Sequence, residues 1–282
     1  MKHKGHVEGN LIPGRADLTA MMPYLMKRRC DSLIFFEQNI DVEPFLAYSE
    51  KRKAEGTEVK FFSFFVAAVV KLLRERPQLN RYIKGRKLYQ RDDVLVGTVV
   101  KRSMDDKGQE SNIVLHFKPE DNFQKVLQIL QGEVRLAKTD PTEQQMEDDK
   151  AFEALLKLPR WLLMFIVKIL DFSDFYKAVP KFFRDIDPMR CSIMLANLGS
   201  IGIEAPYHHL FEWGTCSIFA TIGKIQKKPV VVSDETGDKI VAKTMVNVKI
   251  VMDERITDGF YCARSLDLLE SYFANPETVE QI

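Results

Sequence analysis

The sequence is short of the features that place many proteins directly. It has four cysteines, Cys30, Cys191, Cys216 and Cys262, far apart and without a CxxC pair. That argues against a disulfide framework or a zinc site and makes a reducing compartment, the cytoplasm, the expectation. It has no excess of one charge: 41 Lys and Arg stand against 40 Asp and Glu. No net field is then available to attract nucleic acid or an anionic surface. It has no GxGxxG, P-loop, HExxH or GxSxG motif. The basic residues of MKHKGHVEGN are not followed by an apolar run, so no secretory signal is expected there.

Long hydrophobic runs are also missing. The most apolar stretch, Leu158 to Phe183, is broken by Lys168, Asp171 and Asp174 and falls short of the roughly 20 apolar residues a bilayer span needs. A core or subunit-packing helix is the favoured reading. Contact with a membrane interface through 158–183, or a wall of an apolar substrate entrance, is the alternative. The run Lys27-Arg28-Arg29 reads as a solvated helix face.

What is present describes a globular chain of mixed α and β type. The pattern gives a helix from Asp17 to Arg29, with Asp17 or Thr19 as its cap. A strand over SLIFFEQNID follows. Next come a helix from Asp41 to Gly56 and a helix over Lys60 to Arg76 that is apolar around much of its circumference. Short strands lie in RKLYQRDDV, VLVGTVVKR and NIVLHF, and an amphipathic helix covers Phe123 to Lys138. The polar stretch 139–150 reads as a loop. CSIMLANLG, CSIFATIGKI, KPVVVS and KTMVNVKIVMD read as strands, with a hairpin at DETGDK. A helix from Gly259 to Phe273 closes the order. Hairpins outnumber βαβ units, which argues for an α+β layer structure on a mixed sheet. The expected organisation is a flexible segment at 1–14 and one domain over 15–282, with a helical insert at about 140–185.

Several stretches, in order, resemble the catalytic domain of the 2-oxo acid dehydrogenase dihydrolipoyl acyltransferases, whose fold is shared with chloramphenicol acetyltransferase. ANLGSIG, Ala196 to Gly202, looks like the family's SNLGSIG. FFSFFVAAVVKLLRERPQLN resembles its long helix and Asn-containing turn, NIDVEPFL its VDVTEL segment, and DERITDG its DHRVIDG. The resemblance implies a two-layer α+β acyltransferase fold and a homotrimer with its active site between subunits. It implies coenzyme A as acyl-CoA substrate and an acyl acceptor that is free or on another protein. No covalent lipoyl group, metal or nucleic-acid partner is expected.

Thioester chemistry needs a base for the thiol, a donor for the tetrahedral oxyanion, and exclusion of water. The family uses the His of HxxxDG as base, its Asp as a structural residue held through an ion pair, and a Ser of the SNLG turn for the oxyanion. In this sequence Asp258 and Gly259 match the DG. Glu254 stands at the base position and Ala196 at the serine position. Asn197, Gly199 and Ser200 complete the substrate-binding turn, with Ser200 as a substitute donor. A carboxylate of ordinary pKa, about 4.3, is a poor base for a thiol near 8.5. Glu254 therefore acts as base only if burial raises it, and is structural if Arg255 or a subunit neighbour pairs with it. His208 and His209, in APYHHLFEWGT, are the alternative base. His116, inside a strand, reads as packed. Two functions stay open: a coenzyme A-dependent acyltransferase with a remodelled site, and a catalytically inactive homologue acting as a trimeric coenzyme A-binding or scaffold protein.

Overall fold

The computed structural model describes residues 9–13, 18–101, 110–138, 153–176, 179–180, 183, 187–235 and 237–282. The polar stretch 139–150 and the Asp17 cap lie outside these residues.

The core explains the layering. Strands β2 (Leu33–Asp41), β5 (Val94–Lys101), β6 (Glu110–Phe117), β7 (Ile193–Asn197), β8 (Ile218–Asp234) and β9 (Gly237–Asp253) form one sheet in the order β2-β9-β8-β7-β5-β6. β5–β7 and β7–β8 are parallel and the other pairs antiparallel, so the sheet is mixed. Side chains alternate across a strand. Val246, Val248, Ile250 and Met252 of β9 face one side, with Ile193 and Leu195 of β7 and Ile218 and Ala220 of β8. Met194, Phe219 and Val251 face the other.

Among the described elements, helices cover the first side. They are α2 (Glu43–Ala54), α3 (Phe61–Glu75), α4 (Phe123–Lys138) and the C-terminal helix Gly259–Ala274. α3 is buried from Ser63 to Leu73, as an all-round apolar helix must be. Phe45, Phe64 and Phe273 knit three helices together, with ring centroids 4.8 Å apart for Phe45–Phe64 and 5.2 Å for Phe64–Phe273. Such pairs contribute about 0.5–1.5 kcal/mol each beyond their area. The second side of the sheet carries no helix among these elements. A connection without regular secondary structure lies over it, contributing Leu210 and Cys216.

Several expectations change in detail. CSIFATIGKI and KPVVVS are one strand, β8, which runs through Pro229 and absorbs an irregularity between Ile222 and Ile225. The first helix, α1, is Leu18–Leu25, with Thr19 inside it rather than at its cap, and Arg29–Ser32 forms a separate 3-10 turn. Asn10 and Leu11, expected to be flexible, pair with Gln90 and Tyr89 in a small second sheet of β1 (Asn10–Leu11), β3 (Arg81–Lys84) and β4 (Lys87–Gln90).

The segment between α4 and β7 contains the helix α5 (Arg160–Phe175). Its C-terminal end is anchored by buried charges. Asp174 accepts from Lys84 Nζ and, at 2.6 Å, from Arg190 Nη2, and Asp187 faces Arg190 Nε at 3.3 Å. Gly85, with φ +55°, approaches the Phe175 carbonyl so closely that a Cβ would sit 2.7 Å from its oxygen. The β3–β4 hairpin therefore pins α5 by its last turn.

Candidate active site

The turn after β9 is built on Asp253. Its carboxylate is fully buried. Oδ1 accepts from Arg255 N at 3.1 Å, Arg255 Nε at 2.8 Å and Ser32 Oγ at 3.0 Å, and Oδ2 accepts from Arg255 Nη2 at 2.7 Å. Arg29 Nε lies 3.8 Å from Oδ2. Arg255 also donates to the Met26 carbonyl at 2.9 Å. Arg29 donates to the carbonyls of Phe211, Trp213 and Gly214. A fully buried charge stands only when paired and hydrogen-bonded, and this network meets that condition.

The clamp corrects three expectations. Arg29 is buried and paired, not part of a solvated helix face. Arg255 is committed to Asp253, so it does not pair with Glu254. Asp258 makes no ion pair among the described residues; its Oδ1 caps the C-terminal helix by accepting from Tyr261 N at 2.9 Å, a standard use of Asp at a helix start. Gly259, the next residue, is the first of that helix. Glu254 is half-buried at the head of the 3-10 turn Glu254–Ile256, with no hydrogen bond or ion pair to the described residues.

The second motif turn lies elsewhere on the sheet. Ala196 ends the open-face row of β7 and packs beside the Met194–Phe219–Val251 cluster. The Asn197 side chain makes no hydrogen bond to the described residues. Ser200 Oγ donates to the Asn197 carbonyl at 2.7 Å, within the turn. Gly199 has a packing reason: a Cβ there would lie 2.5 Å from the Gly223 carbonyl oxygen. It lets the turn close onto β8.

His208 lies over the open face. Its ring stacks on Phe219 with centroids 3.9 Å apart and 6° between planes, and on His209 at 4.7 Å. His208 Nδ1 is 2.8 Å from the His209 carbonyl oxygen. A carbonyl only accepts, so Nδ1 carries the proton and Nε2 of the neutral ring is left with its lone pair. His209 is more exposed and touches Phe211. His116, expected to be packed, is exposed and bonded to Asp93 at 2.6 Å.

One chain does not assemble all of these groups. Ala196 pairs with Thr221 of β8, and Thr221 with Lys249 of β9. Five residue steps along β9 and two strand spacings separate Ala196 from Glu254, roughly 19 Å. The cavity beside the turn, lined by Arg255, Ile256, Thr257, Asp258, Gln78 and Arg81, holds only about 100 Å³, below the roughly 300–1,000 Å³ of ligand pockets. No group of three metal-ligating side chains exists among the described residues.

Sequence reasoning missed Asp253, Arg29, Ser32 and Glu212. Glu212 accepts from Arg29 N at 3.0 Å and Cys30 N at 2.7 Å. Burial opposes its charge, but these amides more than offset that and keep its carboxyl below the ordinary range. The one available signal was an Asp at the end of an apolar strand, a position that needs a cationic partner.

The fold defines a class: a two-layer α+β domain of chloramphenicol acetyltransferase type. Residues 186–280 match the family model of the 2-oxoacid dehydrogenases acyltransferase (catalytic domain). The lipoamide acyltransferase component of the branched-chain alpha-keto acid dehydrogenase complex of Bacillus subtilis (strain 168) is 25% identical over 234 residues. That alignment covers 80% of this chain and 43% of the relative, so the chain spans less than half the relative's length. A probable dihydrolipoamide acetyltransferase of Listeria monocytogenes 4b F2365 superposes with a TM-score of 0.58 at 16% identity, covering 94% of both chains. The cubic core of the pyruvate dehydrogenase multienzyme complex gives 0.58 at 15% identity over 93% of this chain and 88% of that one. A chloramphenicol acetyltransferase gives 0.55 at 11% identity over 94% and 99%. The match over residues 186–280 and the fold thus point to the same similar proteins, the catalytic domains of 2-oxo acid dehydrogenase acyltransferases.

Proposed function

We propose that this chain is a coenzyme A-dependent acyltransferase whose site is remodelled and completed by a second copy in a homotrimer. The reading rests chiefly on His208. Its Nδ1 is pinned by the His209 carbonyl, which leaves Nε2 as a proton acceptor on the same sheet face as Ala196. An imidazole is matched to proton transfer near neutral pH. In the reaction, Nε2 takes the proton of the acceptor nucleophile as it attacks the thioester carbonyl. The tetrahedral intermediate then collapses, and the imidazolium returns the proton to the coenzyme A thiolate. Glu254 of the adjoining copy, free of Arg255, supplies the negative charge that favours the imidazolium. Ala196 is roughly 19 Å from Glu254 in one chain, and Phe219, which carries the His208 ring and pairs with Val251, is roughly 11 Å from it; this separation is the reason for assigning Glu254 to the adjoining copy.

The test is release of thiol from acetyl-CoA and longer acyl-CoAs, with dihydrolipoamide, amines and alcohols as acceptors. His208→Gln is expected to lower turnover by about 10²–10⁴ while the assembly keeps its mass. Equal turnover in the variant would remove His208 from the chemistry.

A second reading has its own support. Ala196 brings no hydroxyl to the oxyanion position, and the Ser200 proton is already donated. A missing oxyanion donor costs about 10²–10³ in rate. If every acyl-CoA gives no turnover while coenzyme A still binds, the protein is a trimeric binding or scaffold homologue.

A further inference from the structure

Helix α5 is apolar on two sides. Its inner side, with Leu162, Leu163, Ile166 and Leu170, is half-buried and ends at buried Asp174. Its outer side carries Trp161, Met164, Phe165, Phe172, Phe175 and Tyr176, spaced to share one helical face. These side chains are open to solvent: Trp161 is 70% exposed, Phe172 66% and Phe165 57%. Of the expected core or subunit-packing helix, the core reading does not hold for this outer face within one chain. Contiguous exposed apolar surface of this kind marks an interaction site.

The surroundings of that face identify the partner. Lys168 stands within it, and Arg160 opens the helix. At its C-terminal end lies a cavity of about 340 Å³ lined by Lys27, Arg28, Arg29, Lys84, Arg86 and Arg255 against Asp171, Asp174 and Glu212, so its cations outnumber its carboxylates. The side chains of Lys27, Arg28 and Arg86 make no ion pair with a carboxylate among the described residues, although the Arg28 amide donates to Asp31 at 3.2 Å. Arg86 adopts φ +59°, an uncommon backbone for a side-chain-bearing residue, and places its guanidinium 5.8 Å from the Tyr24 ring. Next to this cavity α1 exposes Met21, Tyr24 and Leu25. Two separate helices thus present apolar and aromatic side chains on either side of one cationic mouth. Aromatic rings with interspersed Lys and Arg fit the interface of an anionic bilayer, where rings enter the headgroup boundary and cations meet phosphates. No helix among the described residues is long and apolar enough to cross a membrane, so α5 would lie flat.

We propose that the outer face of α5, together with Lys27, Arg28 and Lys168, docks this protein on an anionic lipid bilayer surface. The cavity at this surface is also lined by Arg255, the neighbour of Glu254. Docking thereby brings the candidate active-site turn close to the membrane.

The experiment is co-sedimentation of the whole protein with vesicles of phosphatidylcholine alone, or of phosphatidylcholine and phosphatidylglycerol in equal parts. Two variants run beside it: W161S/F165S/F172S, all at solvent-exposed positions, and K27E/R28E. Light scattering reads the mass of each. The wild type is expected to bind the anionic vesicles and not the neutral ones. The bound fraction should fall on the order of tenfold in W161S/F165S/F172S, and in K27E/R28E too, with mass unchanged. Failure of the wild type to bind, or equal binding by the variants, overturns the proposal. So does a change of assembly mass in W161S/F165S/F172S, which would show that another copy covers this face. Binding is read without turnover, so the outcome is independent of the proposed acyl transfer.

Discussion

At the scale of residues, buried charges fix the turn after β9 and the end of α5. Asp253→Asn removes the charge that holds Arg255 and Arg29 and leaves the buried Arg255 guanidinium without an anion, while Arg29 keeps Glu212 nearby. Breaking such a network costs about 3–5 kcal/mol, to be read as a lower urea midpoint with unchanged slope. Lys84 responds to pH. Burial, partly offset by Asp174, brings its ammonium down to about 8, against about 10.4 in an unfolded chain. Between those values the unfolded state holds more protons, so this group's contribution to stability rises with pH there and is at its minimum below pH 8. The wild type should therefore gain on Lys84→Met as pH increases from 8 to 10. A flat or falling difference would contradict the placement of Lys84. Little of this was legible in the sequence: Arg29 sits in a Lys-Arg-Arg run that reads as a wet helix face, and only the fold brings it to Asp253, more than two hundred residues away.

At the scale of elements, periodicity carried most of the information. α4 and the C-terminal helix follow apolar stripes, α3 follows its all-round apolar character, and β2 follows its branched and aromatic run. The β8–β9 hairpin was marked by its turn residues, while Pro229 concealed that β8 is continuous, because proline reads as a break and here it is accommodated within a long strand. Glycine placement was half legible. Gly199 reads as part of a substrate turn, yet its contact with the Gly223 carbonyl is a close approach of two backbones. Gly199→Ala should displace the 198–201 turn and cost about 1–3 kcal/mol. Retained stability with an unmoved turn would show that β8 can yield. The outer face of α5 was visible as composition only; its exposure depends on which side the Lys84–Asp174 anchor turns inward.

At the scale of the whole molecule, the layered fold was readable because each layer buries one face within a single chain. The site was not, because its groups are dispersed over one sheet and do not meet within one chain. Motif order located Glu254 and Ala196, and the register of β7, β8 and β9 shows them to be far apart in one chain. The proposed site therefore requires a trimer. The most direct measurement is acyl-CoA turnover by mixed assemblies, formed by refolding His208→Gln and Glu254→Gln chains together, beside each variant alone. Mixed trimers should regain turnover, because some of their interfaces join an intact His208 to an intact Glu254 from the next copy. If both single variants assemble and lose activity but the mixture stays at their level, the two groups do not meet across copies and the shared site is wrong.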